Sequence, residues 1–219
     1  MTTPLAALQF RGPRQRLVET LQENGIDNLA VLRAFERTPR HLFVPTGVAH
    51  RAYEDAPLPI GSGQTISQPS VHARYLQEIG FTGKETVLEV GTGSGYQTVL
   101  LCHLASRVFS IERIGALLER ARDAVALSGV SNVSFLAGDG TLGWSQFAPY
   151  DAILVSAGAP AVPPPLIEQL AEGGRLLIPI GGKEEQMLRV YTKQGESVEE
   201  RNLASVRFVP LVGTYGWPA

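Results

Sequence analysis

The sequence predicts an α/β fold in which a doubly wound, mostly parallel β-sheet carries helices on both faces. Three observations point to this fold. Short, almost continuous apolar runs alternate with helical periodicity between residues 84 and 180, a pattern typical of strands that are buried on both faces. A glycine-rich turn follows the first of these runs, where a strand would lead into a helix. The chain is 44% hydrophobic and 18% charged, as in ordinary globular domains.

The first part of the chain predicts helices separated by loops. Apolar spacing indicates a helix over residues 14–24 and a second helix, capped by Asp27, that ends before Pro39. Three apolar residues repeat along this second helix: Leu29, Leu32 and Phe35. The stretch 57–69 is rich in Gly, Pro and Ser and predicts a loop. A third helix is expected over residues 70–79.

The middle of the chain predicts five strands joined by right-handed helical crossovers. The strands are expected at 86–90, 107–111, 133–136, 150–155 and 175–180. The helices between them are expected at 96–104, 114–127 and 165–171. Two further β-rich runs, 187–192 and 206–211, predict antiparallel strands at the sheet edge, with the polar span 193–202 between them.

Length and composition favour one domain over residues 1–219, with three subregions, at 1–82, 83–181 and 182–219. Lys and Arg total 19 against 21 Asp and Glu, which argues against a nucleic-acid partner. No apolar run reaches membrane length, so no membrane partner is expected. The lone Cys102 excludes an internal disulfide, and the scattered histidines predict no metal site. We expect a cytoplasmic monomer.

The strongest chemical signal is the glycine loop, defined here as residues 91–95. It reads Gly-Thr-Gly-Ser-Gly between a predicted strand and a predicted helix. Glycines let the backbone turn sharply and let a ligand lie against it, close to the free N–H groups of a helix end. Dinucleotide-binding enzymes show G-x-G-x-x-G. The shorter spacing here disfavours a nicotinamide oxidoreductase and favours a ligand with a nucleoside and an amino-acid tail.

Two carboxylates follow the next two strands. Glu112 lies 21 positions after Gly91, near the offset at which acidic residues accept hydrogen bonds from ribose hydroxyls. Asp139 stands between two glycines after the third strand and could accept from an adenine amino group. Each also fits a simpler interpretation, a solvated carboxylate for Glu112 and an Asx turn for Asp139. Their convergence with the glycine loop on one crevice favours a binding site.

These features resemble the Rossmann-like fold of class I S-adenosylmethionine-dependent methyltransferases. More narrowly, the chain is similar to the protein-L-isoaspartate O-methyltransferase family. The narrower resemblance lies in four runs: Thr38-Pro39-Arg40-His41-Leu42-Phe43-Val44-Pro45, Gly63-Gln64-Thr65-Ile66-Ser67-Gln68-Pro69, Leu176-Leu177-Ile178-Pro179-Ile180-Gly181 and Val206-Arg207-Phe208-Val209-Pro210-Leu211. It implies methyl esterification of the free α-carboxylate of L-isoaspartyl residues in damaged proteins and peptides, with S-adenosyl-L-homocysteine as the product.

The resemblance also implies roles for particular residues. Thr65 and Ser67 correspond to the functional hydroxyls of the family. The residues expected to bind the cofactor are Gln64, Ile66, His72, Glu89, Gly91, Thr92, Gly93, Ser94, Gly95, Glu112, Arg113, Asp139 and Gly140. The residues expected to line the peptide groove are a turn at Pro179 and the segment Phe208, Val209 and Pro210.

Two other functions fit the sequence less well. Methyltransferases that act on amino groups usually carry an Asn/Asp-Pro-Pro-aromatic run after the fourth strand, where this chain reads Ser156-Ala157-Gly158-Ala159. A non-enzymatic cofactor-binding protein would not need Thr65, Ser67 and the glycine loop together, and all are present. The sequence therefore favours a carboxyl methyltransferase.

Overall fold

The computed structural model describes residues 9–218. Its helices are α1 Arg11–Glu23, α2 Leu29–Arg37, α3 Pro69–Ile79, α4 Tyr96–Leu104, α5 Gly115–Leu127 and α6 Pro164–Glu168. Its strands are β1 Leu58–Gly61, β2 Gln64–Ile66, β3 Thr86–Val90, β4 Arg107–Glu112, β5 Val133–Ala137, β6 Tyr150–Val155, β7 Leu170–Gly181, β8 Gln186–Gln194 and β9 Ser197–Val206.

Strands β3 to β9 form one sheet in the order β5-β4-β3-β6-β7-β8-β9. The pairs from β5 to β7 are parallel, whereas β8 and β9 add to the edge in antiparallel register. The predicted doubly wound sheet with an antiparallel edge is confirmed. The order reverses between β3 and β6, and ligands of such sheets bind outside the carboxyl ends of the strands at this point.

The sheet separates two apolar cores. One contains α1 to α5 and the inner face of β3, with Leu21, Phe35 and Leu100 fully buried. The other lies between the opposite face and the segment around α6, with Phe109 and Leu166 buried. No helix among residues 9–218 is long and apolar enough to cross a membrane.

The start of α2 differs from the prediction. Asn28, not Asp27, is the N-cap, and its side chain accepts from the N–H groups of Ala30 and Val31 at 3.0 and 3.2 Å. The backbone N–H groups of Asp27 and Asn28 are instead held by the side chain of Gln77. Leu29 is 62% exposed because it is the first helical residue and lies outside the apolar stripe.

The loop expected over residues 57–69 contains an antiparallel hairpin of β1 and β2. Its turn places Gly61, Ser62 and Gly63 at positive φ, which explains the Gly and Ser content that made the segment resemble a plain loop. Leu58, Ile60 and Ile66 point into the core. The hairpin is therefore fixed to the body of the protein. This matters because it carries the Thr65–Ser67 run.

The edge strands also differ from the prediction. Strand β9 covers Ser197–Val206, so the span 193–202 is largely strand, and residues 207–211 contribute one isolated bridge, at Pro210. The polar span was misassigned because an edge strand with an exposed face needs no apolar alternation. Strand β7 starts at Leu170, so the helix expected to reach residue 171 ends at Glu168.

We expect Asn28→Ala to lower the free energy of unfolding by about 1 kcal/mol, because an N-cap side chain of this kind contributes that much. Urea denaturation would measure the change, with the same dependence of the unfolding free energy on urea concentration (m-value) used for all variants. Asp27→Ala is the matched control and should change stability far less. Equal losses in the two variants would contradict the assignment of the cap.

Candidate active site

The glycine loop turns the chain from β3 into α4. Gly91, Gly93 and Gly95 have φ values of 95°, 56° and 85°, a region in which side chains other than glycine are strained. Gly95 also has no room for a methyl group, because a Cβ there would lie 2.8 Å from Val125. The loop can therefore approach a ligand with its backbone alone.

Beneath the loop lies the carboxylate of Glu89, which is fully buried at the end of β3. It accepts hydrogen bonds from Thr98 at 2.5 Å, Ser110 at 2.6 Å and Gln97 at 3.1 Å. The hydroxyl of Thr92 lies 2.6 Å from that of Ser110. One buried carboxylate thus joins β3, α4, β4 and the glycine loop. Burial raises the pKa of Glu89 to about 7, although the three hydrogen bonds oppose the rise.

Glu112 ends β4 and faces the glycine loop. One carboxylate oxygen accepts from the N–H of Gly93 at 2.8 Å and the other from the N–H of Ile114 at 2.9 Å. A carboxylate can accept about four hydrogen bonds. Glu112 therefore retains acceptor sites on the side that lines the pocket.

Asp139 follows β5 and caps a short 3₁₀ turn through the N–H of Thr141, as in the Asx-turn interpretation. Its other carboxylate oxygen accepts from the N–H and hydroxyl of Thr214 at 2.7 and 2.8 Å. Partial burial opposes ionisation, but these bonds outweigh it and hold the pKa of Asp139 below its ordinary value. The structure thus engages Asp139 with the C-terminal residues.

Arg40 fixes the segment that carries Thr65 and Ser67. Its guanidinium is completely buried and donates to the carbonyls of Ala52, Ala56 and Ser67 at 2.8, 3.1 and 3.2 Å. It also lies over the ring of Tyr96, 5.1 Å from the centroid. In the sequence, Arg40 appears only as part of a motif. Its structural role depends on hydrogen bonds to three carbonyls that lie 12, 16 and 27 positions away along the chain.

Two buried polar atoms have no hydrogen-bond partner among the described residues at the pocket: Nδ1 of His72 and Oε1 of Gln97. Both residues line the pocket and are 4% exposed. Burial, together with the charge of Arg40, lowers the pKa of His72 to about 3, so its ring is neutral. Gln97 is a further candidate site residue that was not predicted, although a glutamine near the start of a mainly apolar helix was a usable signal.

These groups surround one cavity at the carboxyl ends of β3, β4 and β6. Its wall includes most of the residues expected to bind a cofactor: Gln64, Ile66, His72, Gly91, Thr92, Gly93, Ser94, Glu112, Arg113 and Gly140. Glu89, Gly95 and Asp139 are not part of this wall: Glu89 and Gly95 are buried, whereas Asp139 is partly exposed next to Gly140. Leu211 and Val212 complete the wall from the C-terminal side.

A second cavity, the outer groove, adjoins the first. Thr65, Ser67, Ser156 and Val209 line both cavities, so the predicted functional hydroxyls lie at their junction. Other residues of the groove are Pro57, Gln68, Val71, Ser205, Val206, Arg207 and Phe208. None of the groove residues in the described part of the chain carries a carboxylate.

The residues predicted to line the peptide groove lie in three places: the outer groove, the inner pocket and the interior of β7. Phe208 lines the outer groove, Val209 lines both cavities, and Pro210 lines the inner pocket. The turn expected at Pro179 was wrong, because Pro179 is buried inside β7 opposite Leu188 and lies on neither wall. Its carbonyl accepts from the N–H of Ala159 after β6, so Pro179 supports the wall from behind.

Comparison with known proteins identifies the family. The profile of the family described as "Protein-L-isoaspartate(D-aspartate) O-methyltransferase (PCMT)" matches residues 12–216. The chain belongs to this family. It is 49% identical to the protein-L-isoaspartate O-methyltransferase of Dictyoglomus thermophilum over 95% of both chains. It is 51% identical to that of Hahella chejuensis over 93% of this chain and 97% of the other.

Solved structures of the family agree in fold. A protein-L-isoaspartate O-methyltransferase of 31% identity superposes with a TM-score of 0.84 over 93% of this chain and 67% of the other. A Plasmodium falciparum structure, described as a complex of a family member with S-adenosyl-L-homocysteine, matches with a TM-score of 0.79 at 27% identity. It covers 91% of this chain and 98% of the other.

The raised pKa of Glu89 predicts a stability effect with a defined sign. The folded protein binds the proton of Glu89 more tightly than the unfolded chain does, so protonation of Glu89 stabilises the fold. This stabilisation is complete below pH 4.5 and is lost as pH rises to about 7. We expect the stability of Glu89→Gln to show no such decrease with pH. The measurement is the difference in unfolding free energy between the two proteins from pH 4.5 to 8. A difference independent of pH would contradict the shift.

Proposed function

We propose that this protein transfers a methyl group from S-adenosyl-L-methionine to the free α-carboxylate of L-isoaspartyl residues in damaged proteins and peptides, which initiates their repair. The observation that carries the proposal is the junction of the inner pocket and the outer groove at Thr65 and Ser67. Family membership supplies the reaction class. A pocket for a nucleoside ligand that opens into a groove for an extended chain is the arrangement such a reaction needs.

The residues of the inner pocket fit the proposed cofactor. Glu112 retains carboxylate acceptor sites for ribose hydroxyls, and the glycine loop exposes backbone without Cβ atoms. The orphaned Oε1 of Gln97 is a buried acceptor that suits an α-ammonium group. Because the ring of His72 is neutral, its Nδ1 can donate to a carboxylate in one tautomer. An ordinary buried core would leave neither atom unsatisfied.

The proposed roles follow this placement. We assign contact with the cofactor to Gln64, Ile66, His72, Gly91, Thr92, Gly93, Ser94, Glu112, Arg113 and Gly140. Glu89 and Gly95, which were expected to bind the cofactor, would act from behind the wall by fixing the glycine loop. Thr65 and Ser67 are the proposed catalytic hydroxyls, and Phe208, Val209 and Pro210 are proposed to contact the substrate.

The chemistry needs alignment more than proton transfer. A carboxylate has an ordinary pKa of about 3.9 and is ionised at neutral pH, so the chain need not supply a general base. When bound, the cofactor supplies a methyl group that its sulfonium makes electrophilic. The hydroxyls of Ser67 and Thr65 can donate to one oxygen of the substrate carboxylate and so aim the other. Arg40 holds the carbonyl of Ser67 and limits the movement of this run.

The outer groove suits an acidic, variable substrate. Its walls carry hydroxyls and apolar side chains, and Arg207 is the charged residue among them. An isoaspartyl carboxylate entering the groove would therefore meet hydroxyl donors and the guanidinium of Arg207, which pairs with Glu184 at 2.8 Å. We infer that recognition depends on the isoaspartyl main chain and its carboxylate rather than on flanking side chains.

We further propose that residues 1–219 form one methyltransferase domain with subregions 1–82, 83–181 and 182–219. Support comes from one of the two apolar cores, which includes Leu17, Leu100 and Phe208, one from each subregion. The monomeric state, the cytoplasmic location and the absence of nucleic-acid or membrane partners stay predictions from the sequence.

The reaction is tested with labelled S-adenosyl-L-methionine and two matched peptides, one with isoaspartate and one with aspartate. We expect base-labile label on the isoaspartyl peptide alone. Ser67→Ala should lower kcat/KM by roughly 10- to 100-fold, because it removes a hydrogen bond to a charged group. Ser145→Ala, at an exposed site outside both cavities, is the control. Label on both peptides, or equal activity of Ser67→Ala, would contradict the proposal.

Cofactor contact by Gln97 has its own test. We expect Gln97→Met to weaken the binding of S-adenosyl-L-homocysteine about tenfold. The binding of 5′-methylthioadenosine, which lacks the amino-acid end, should weaken by less than about twofold. Titration calorimetry measures both affinities. Thr98→Val, which also removes a hydrogen bond from Glu89 but lies outside the pocket, is the matched control. Equal losses for both ligands would assign the effect to the Glu89 network instead.

A further inference from the structure

The residues after β9, 207–210, form a crossing segment that leads from the edge of the sheet back to the site. The segment leaves β9 after Val206, and at Pro210 it pairs with Gly158 in the loop that follows β6. Strands β8 and β7 lie between β9 and β6. The segment therefore passes two strands before its side chains line the outer groove and the inner pocket. Its position shapes the junction of the two cavities.

One buried side chain holds the crossing segment on its way. Gln186 is the first residue of β8, lies opposite Gly181 of β7 and Val206 of β9, and is 3% exposed. Its Oε1 accepts from the backbone N–H of Phe208 at 2.8 Å. Its Nε2 donates to the carbonyl of Gly182, in the turn between β7 and β8. A single side-chain amide thus connects this turn to the crossing segment.

Gly158 makes room for the Gln186 amide. A Cβ on Gly158 would lie 2.8 Å from the Cδ of Gln186, so the two residues are in close contact. The N–H of Gly158 also donates to the carbonyl of Val209 at 2.8 Å. Gln186 and Gly158 therefore touch each other, and each forms a hydrogen bond to the crossing segment. Displacement of the amide would remove one of these two bonds.

The other contacts from the same turn are exposed. Glu184 pairs with Arg207 at 2.8 Å, but both side chains are at least 75% exposed. Glu185 accepts from the hydroxyl of Ser205 at 2.7 Å, again at the surface. Exposed ion pairs contribute little to stability, whereas the loss of a buried hydrogen bond leaves an unsatisfied polar group and costs more. Gln186 is therefore the residue of this turn that fixes the crossing segment.

We propose that Gln186 is a positioning residue for the isoaspartyl substrate. Gln186 lines neither cavity, so it acts through the crossing segment. It holds Phe208 and Val209 in the groove wall before a substrate arrives, and such preorganisation lowers the entropic cost of binding. The inference rests on the proposed function, because it takes an isoaspartyl peptide as the occupant of the outer groove.

Gln186→Met tests the inference through methyl-transfer kinetics. Methionine has a similar length and removes both hydrogen bonds of the amide. We expect the KM of the isoaspartyl peptide to rise roughly three- to tenfold, because the substrate must then order the segment itself. The kcat should change by less than about twofold, since ground-state and transition-state binding weaken together. The dissociation constant of S-adenosyl-L-homocysteine should also change by less than about twofold, because Glu112 and the glycine loop do not contact Gln186.

Gln169→Met is the matched control. Gln169 is likewise buried, accepts from the N–H of Trp144 at 2.8 Å and donates to the carbonyl of Leu142 at 2.9 Å. It also packs against a glycine, since a Cβ on Gly143 would collide with its amide. It lines neither cavity. Both variants should lower the free energy of unfolding, but Gln169→Met should leave the peptide KM unchanged. An equal rise of KM in both would show a general effect of stability and overturn the inference.

Gly158→Ala tests the contact by a second route, and it serves even if Gln186→Met does not fold. The added methyl group displaces the Gln186 amide, so the peptide KM should rise here as well. In a Gln186→Ala background the side-chain atoms that this methyl group would meet are absent. Gly158→Ala should then cause no further rise. Independent, additive increases would contradict a joint action of the two residues.

The remaining outcomes separate this inference from the proposed function. An unchanged peptide KM in Gln186→Met, or an equal weakening of S-adenosyl-L-homocysteine, would overturn this inference alone. Failure of the unsubstituted protein to methylate the isoaspartyl peptide would overturn the proposed function and this inference with it.

Discussion

The rest of the site depends on one buried carboxylate. Glu89 receives side chains from two neighbouring elements, the start of α4 and the middle of β4, and through Ser110 it also reaches Thr92 of the glycine loop. A buried carboxylate is costly unless its acceptor sites are satisfied. The need to satisfy the acceptor sites of Glu89 therefore fixes the direction of α4 and the height of the glycine loop above the sheet. These two quantities shape the floor of the pocket.

The opposite wall is fixed by a buried charge of the other sign. Arg40 donates to three backbone carbonyls between residues 52 and 67, and one of them belongs to Ser67. Its charge also helps to keep His72 neutral. Polar networks thus hold the floor and the hairpin wall, in addition to the apolar packing of the hairpin against the core. This agrees with a site in which small displacements of the reacting groups would slow transfer strongly.

The sequence predicted the parts of the fold that depend on repeated apolar patterns. Buried parallel strands produce nearly continuous apolar runs, so β3 and β6 were predicted with correct bounds, and the glycine loop marked the pocket. Features that depend on one side chain were harder to predict. Asn28 caps α2, while Gln77 accepts hydrogen bonds from the N–H groups of Asp27 and Asn28 across 50 and 49 positions of the chain. The engagement of Asp139 by Thr214 spans 75 positions, and no local pattern encodes it.

The charged side chains of β9 explain why this strand was not predicted from the sequence. They also affect how the edge of the sheet interacts with other chains. β9 is the last strand of the sheet, and an unpaired edge offers its backbone to any extended chain that approaches. Glu200 and Arg201 on this strand pair with Arg189 and Glu78, and most of the strand is exposed. Charges on an edge make continued pairing with another strand unfavourable. A protein whose substrates are isoaspartyl-containing chains thus carries an edge that disfavours pairing of those chains with its own sheet.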